Sequence, residues 1–198
     1  MIVTVEDLKI KYANYTDING KINREIDKGE IIPLVRGLYE TDKNVSRLYL
    51  PSYIYGPSYI SFDTALSYYG MIPEAVYIYT SATFNKRKTK RYTNFFGTFQ
   101  YRDIPKEAYS FGINTKEENG YVYYIGTREK ALCDKLYIMP PVDNIRELKE
   151  MLFEDLRIEP QTISELNGED IIFFSEKYHS KNLDLLAKFI RRWHATNN

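Results

Sequence analysis

"TDINGKINREIDKGEIIPLVRGLYE", residues 16–40, decides how the chain begins to fold. Ile18, Ile22 and Ile26 recur every four residues, which lays one apolar stripe along a helix. Thr16 or Asp17 supplies its N-terminal cap and Gly29 its stop. The opposite face carries Asn23, Arg24 and Lys28, with Lys21 nearer the edge. Two short apolar runs then pivot on Arg36-Gly37, a pattern that predicts a tight hairpin.

Just upstream, "TVEDLKIKY" predicts a first helix, capped by Thr4, with Glu6 and Asp7 where the helix dipole favours acids. The short "ANYT" turn links the two helices. Helix, tight turn, helix and hairpin is the order of a winged helix-turn-helix, whose second helix enters the major groove while the wing touches backbone. Asn23 and Arg24 suit base edges, and Lys21 and Lys28 suit phosphates. Thr16 and Arg36 complete the DNA-binding candidates of this unit. Residues 1–50 hold eight bases and eight acids, so placement rather than net charge carries the reading. A small α+β core with a merely solvated polar face is the competing interpretation. Only Met1 to Val3 precede Thr4, so the helix that opens many such modules is absent or supplied from elsewhere. So small a unit is expected to lean on the rest of the chain.

The rest begins near "LYLPSYIYGPSYIS", residues 48–61, where two prolines and a glycine break the helical pattern. The sequence therefore divides into a DNA-binding module over 1–50 and a second domain over 51–198. Beyond the break a helix is expected from Ser61 to Tyr69, closed by Gly70 and Pro73. Strands are expected in "EAVYIYTSAT", "FFGTFQYRDI" and "GYVYYIG". Thr127 caps "TREKALCDKLYIMP", with Leu132, Cys133, Leu136 and Tyr137 on one side, and from 143 on the pattern is helical. The fold class predicted is α+β: a winged helix-turn-helix, then a mixed α/β domain with a small antiparallel or mixed sheet and a helical C-terminal part.

One segment stands out by charge. The 27 bases and 27 acids of the chain cancel, yet "SATFNKRKTKRYTNFFGTFQYRDI", residues 81–104, sets Lys86, Arg87, Lys88, Lys90, Arg91 and Arg102 against Asp103 alone. Cations so grouped neutralise phosphates without reading sequence. On the same side as Arg24, Lys28 and Arg36 they form a single nucleic-acid face on an uncharged protein. Tyr92, Phe95 and Phe96 are of the type that stacks on unpaired bases, although the core is their expected place. The bland reading is a solvated loop that keeps a sheet edge from aggregating.

Chemistry-bearing patterns are sparse. His179 and His194 have no metal-ligand spacing around them and are read as surface or capping residues. Cys133, the single cysteine, excludes an intramolecular disulfide, fits a reducing compartment and is expected to be a small buried hydrophobe. Neither phosphate-cradling glycine motif is present. Glu129-Lys130 and Asp134-Lys135 are sequence neighbours on a helix, so they diverge and are read as solvated faces. Phe189 and Trp193 are expected in the core. No catalytic activity, cofactor or metal is expected. No run approaches the ~18 apolar residues of a membrane helix, and a cytoplasmic protein without membrane partners is expected.

"RGLYE" closing the first module, "PSYISFDTALSYYGMIPE", "TSAT" before a basic run and "FGTFQYRDI", and "TREKALCDKLY" occur in this order. Together they resemble the AbiEi antitoxins of type IV abortive-infection toxin–antitoxin systems, over roughly residues 5 to 190. The resemblance implies a phage-defence setting and an N-terminal winged helix that represses its own operon at inverted-repeat operator DNA. It implies a C-terminal antitoxin domain and a nucleotidyltransferase-like toxin as functional partner. The alternative is a non-enzymatic RNA- or toxin-binding interaction protein whose N-terminal module is structural.

Overall fold

Thr4 sets the first helix in place by a reciprocal cap. Its hydroxyl accepts from the Asp7 amide at 3.2 Å and Asp7 Oδ2 accepts from the Thr4 amide at 2.8 Å. The computed structural model describes residues 1–197, with side chains described through Trp193. The expectation for the His194 side chain therefore lies outside the described residues. In place of an opening helix the chain starts with a strand that runs into this cap: β1 (Ile2–Thr4) precedes α1 (Val5–Lys11), α2 (Ile18–Asp27), β2 (Ile32–Val35) and β3 (Leu38–Glu40). The three strands form an antiparallel sheet in the order β1-β3-β2, with Val3 opposite Tyr39 and Ile32 opposite Glu40. Of the two candidate caps for α2, Asp17 does the work, its Oδ1 accepting from the Gly20 amide at 2.8 Å. Gly29 ends the helix at φ +72°, a conformation glycine adopts without Cβ strain.

The remainder is a mixed α+β assembly. A 3₁₀ turn (Arg47–Tyr49) and α3 (Pro51–Ile54) lead into β4 (Tyr59–Ile60), α4 (Phe62–Tyr68), β5 (Ile78–Thr83), β6 (Lys90–Asn94) and β7 (Gly97–Asp103). Next come α5 (Lys106–Tyr109), β8 (Ile113–Glu118), β9 (Tyr121–Gly126) and α6 (Arg128–Ile138). The chain closes with α7 (Ile145–Glu150) and a π turn (Met151–Asp155), then α8 (Pro160–Ser164), α9 (Gly168–Ser175) and α10 (Lys181–Asn197). Six strands make one sheet in the order β6-β7-β5-β4-β9-β8. It is mixed: β5 runs parallel to β7 and β4 to β9, and the other pairs are antiparallel. Its core includes Ile60, Phe99, Tyr101 and Ile125 of the sheet and Ala131, Leu132, Cys133 and Leu136 of α6, all under 2% exposed. Phe189 is buried there too and Trp193 packs half-buried against it.

The N-terminal unit does lean on this body. Ile32 and Leu34 of β2 belong to the large core, whereas Leu8, Tyr12, Ile22 and Ile31 form a small cluster of their own. Asn94 Nδ2 donates to the Leu34 carbonyl at 3.1 Å. Tyr121 donates to the buried Glu40 carboxylate at 3.0 Å, and Tyr49 to Glu118 at 3.0 Å. The apolar contacts thus run across residue 50 without a break, although the composition changes there.

Candidate nucleic-acid interface

On α2 the isoleucine stripe turns inward, and Asn23, Arg24 and Asp27 stand exposed on the rest of the circumference, with Lys28 exposed at its C-cap. Lys21 differs. Its ammonium pairs with Glu25 at 2.6 Å and sits 5.3 Å and 5.2 Å from the ring centres of Tyr12 and Tyr15. That hydrogen bond raises the lysine pKa and lowers the glutamate's, so this cation is already matched within the unit. Thr16 is exposed one residue before the cap, and Arg36 is exposed in the β2–β3 turn beside Gly37 at φ +80°.

The basic segment is shaped by its one acid. Asp103 Oδ1 accepts from the Thr83 hydroxyl at 2.7 Å, and Oδ2 accepts from the backbone amides of Lys86 and Arg87 at 2.6 Å each. Asn85 and Arg87 take left-handed backbone, φ 56° and 55°, which curls the β5–β6 loop around that carboxylate. Asp103 therefore builds the loop that displays Arg87 and Lys88 to solvent. Lys86 is partly engaged: its ammonium donates to the Gly56 carbonyl at 3.2 Å and lies 5.1 Å from the Tyr55 ring centre.

Strand geometry then divides the cations that follow. Successive side chains on a strand point to opposite faces, and β6 pairs Lys90 with Tyr101, Arg91 with Gln100 and Tyr92 with Phe99. Arg91 consequently shares a face with Gln100 and its strand neighbour Arg102. Half-buried Lys90 shares the other face with Tyr92, whose ring packs 5.7 Å from Tyr55 and 5.9 Å from Tyr101. The +5 run is thus two groups on two sides of an edge strand, joined by the exposed loop. Among its aromatics, Phe96 is buried and Tyr92 half-buried, but Phe95 is 67% exposed at the β6–β7 turn, against the expectation of a core position. The link to the N-terminal unit falls at the far end of β6, where Asn94 holds Leu34. Arg91 lies three residues up the strand from that joint, about 10 Å by strand rise, and Arg36 two residues beyond it in the chain.

The structure corrects the reading of α6. Lys130 and Asp134 are fully buried, not solvated. They lie one helical turn apart, and Lys130 Nζ donates to Asp134 Oδ1 at 3.2 Å. The Tyr178 hydroxyl bridges the same two groups, while Tyr59 and Ser61 donate to Asp134 Oδ2 at 2.7 Å and 2.6 Å. Burial, then the Asp134 charge, pushes the Tyr59 and Tyr178 phenols well above their ordinary range, so both stay donors. Ser61 holds the N-cap position of α4, yet its hydroxyl is spent on Asp134. Beside them Cys133 is buried and its thiol is pushed up, chiefly by desolvation. Nothing in this cluster reaches solvent. His179 is exposed, and among the described residues no three His, Cys, Asp or Glu side chains are grouped to hold a metal ion. No helix among them is long and apolar enough to cross a membrane.

No protein-family model matches the chain, and no curated protein matches its sequence.

Proposed function

We propose that the protein is a non-enzymatic, DNA-binding repressor of the antitoxin type. The observation that carries the reading is the order β1-α1-α2-β2-β3, closed into a β1-β3-β2 sheet, with Asn23, Arg24 and Lys28 exposed on the second helix and Arg36 in the hairpin turn. This is the arrangement expected of a winged helix-turn-helix, with α2 as the groove helix. Arg87, Lys88 and Arg91 add sequence-blind phosphate affinity from the adjoining sheet edge. The antitoxin role, the inverted-repeat operator, the cytoplasmic setting and the nucleotidyltransferase-like toxin as functional partner rest on the resemblance to AbiEi proteins.

Gel-shift titration against the DNA upstream of the protein's own gene tests it. Arg24→Ala is expected to cost about 1–3 kcal/mol of specific binding, and Lys28→Ala to lower the salt slope by about one. Binding that survives the triple replacement of Arg24, Lys28 and Arg36 unchanged rejects α2 and the hairpin as the reading head. A second reading is favoured by Phe95: an exposed ring beside a split cationic edge suits single-stranded RNA. Under it, Phe95→Ala weakens oligonucleotide binding while the α2 replacements leave it intact.

A further inference from the structure

The face of the six-stranded sheet that carries Arg91 and Arg102 also floors a cleft of about 640 Å³. Ile78 and Thr80 of β5 lie beside Gln100 and Arg102 of β7, since the parallel register sets Ile78 against Thr98 and Thr80 against Gln100. Phe62 at the start of α4 and Ile138 and Met139 at the end of α6 are apolar parts of its lining, and Tyr77, 85% exposed, also lines it. The volume falls within the roughly 300–1,000 Å³ of small-molecule sites, which pair apolar walls with a few placed polar groups.

Among the charged residues that line the cleft, Asp63, Glu74 and Lys135 have ion-pair partners, and Arg102 and Asp155 have none among the described residues. Lys135 pairs with Asp63 at 2.6 Å, and Arg157 holds Glu74 through Nε at 2.9 Å and through Nη2. Arg102 has no carboxylate partner among the described residues. With the Gln100 amide turned to match donor to acceptor, its oxygen accepts from Arg102 Nε at 2.9 Å and Nη2 at 3.2 Å. That contact orients the guanidinium without neutralising it and leaves N–H donors to spare. Arg91 stands opposite Gln100 in the register, so a second cation borders the same floor. The lining carboxylate without an ion-pair partner, Asp155, is exposed and screened by solvent.

The wall at Phe62 is a costly piece of backbone. Phe62 is 1% exposed and adopts φ 54°, the left-handed region that bulky residues avoid. Both flanking side chains fix it by hooking onto consecutive residues of α6: Ser61 onto Asp134 and Asp63 onto Lys135. Strain held this firmly is the kind found where a binding wall must keep its shape.

From the unmatched Arg102, the apolar walls and the aromatic rim, we infer that this cleft binds a small organic anion, an apolar or aromatic body bearing one phosphate or carboxylate. The anionic group sits on Arg102 with Arg91 behind it, and the body lies between Phe62, Ile138 and Tyr77. This goes beyond the DNA-binding reading and uses none of the α2 residues.

Anilinonaphthalene sulfonate, an aromatic anion whose emission rises on leaving water, is the probe. Titrated into the full chain, it is expected to saturate at one molecule per chain. Arg102→Gln is expected to weaken it about tenfold, the loss of one charge-assisted contact, and Arg102→Lys to retain most of the affinity. Val76→Trp, which fills the cleft from its lining, is expected to abolish saturation with the thermal transition still cooperative. Competition then identifies the body: adenosine monophosphate and decanoate share the chemistry, and displacement by either supports the site. Absence of saturable binding, equal affinity in wild type and Arg102→Gln, or failure of both competitors overturns the inference.

Discussion

Removing Asp134 is expected to harm the protein more than removing Lys130, although the two form one buried pair. Asp134 accepts from four donors, the Lys130 ammonium and the hydroxyls of Tyr59, Ser61 and Tyr178. Lys130→Met loses the ammonium's bonds to Asp134 and Tyr178, but the carboxylate keeps three hydroxyl donors, so the cost is expected to stay near that of a charged hydrogen bond, about 1.5–3 kcal/mol. In Asp134→Ala the ammonium keeps only the Tyr178 oxygen and the faces of two rings, 4.6 Å and 5.8 Å away. An uncompensated buried charge of that kind costs about 3–5 kcal/mol. For a chain of this length that is a fall of about 6–20 °C in Tm. Combining the two replacements removes both charges, so the double variant is expected to be less destabilised than Asp134→Ala alone. Urea unfolding of wild type, both single variants and the double, compared at equal m-values, measures all four corners. If Lys130→Met proves the costlier single change, or the double variant loses the full sum of the singles, the hydroxyl cage does not solvate Asp134 as described.

Two further outcomes follow from other parts of the fold. Gly70 and Gly112 share φ +66°, but a Cβ at Gly70 meets nothing within 4 Å, whereas at Gly112 it lies 2.7 Å from Phe174 Cζ and 3.0 Å from Lys130 Cβ. Both alanine variants carry the backbone penalty of about 1 kcal/mol, and Gly112→Ala is expected to lose about 1–3 kcal/mol more by overpacking, read by denaturant melts of the pair. In alkali, burial raises Tyr109 from its ordinary 10 to about 12, and Tyr59, Tyr101 and Tyr178 also rise. A raised phenol favours the folded state fully below pH 10 and loses that contribution as pH climbs through the folded value, so the urea midpoint is expected to drop above pH 10, with tyrosinate absorbance rising as the chain unfolds.

What could be read from the letters was whatever local periodicity determines. The Ile18, Ile22, Ile26 stripe, the Thr4 cap with Asp7, the Gly29 stop and the Arg36-Gly37 turn each follow from a handful of neighbouring residues, and each is present. β1 leaves no signature in the sequence because three residues give no period, and its partner β3 lies some thirty-six positions away, with Val3 opposite Tyr39. Helices α3, α5 and α8, of four or five residues, are too short to show a stripe. The Lys130–Asp134 pair is not legible in the sequence because its members are a helical turn apart and face inward on a helix buried round most of its girth. The basic run illustrates the opposite failure: a sum of charges ignores the alternation that sends Lys90 and Arg91 to different sides of the sheet. Arg102, counted only in that sum, is the cation left unmatched in the cleft. Register, not composition, singles it out.

The separate droplet of Leu8, Tyr12, Ile22 and Ile31 has an evolutionary corollary. The outward residues of α2, Asn19, Asn23, Arg24, Asp27 and Lys28, are exposed and stand apart from that droplet and from the main interior. They form a removable bit on a fixed shank. If α2 reads DNA as proposed, exchanging all five alters what the helix meets while the parts that make the chain fold stay as they are, so a lineage can change its target without renegotiating its stability.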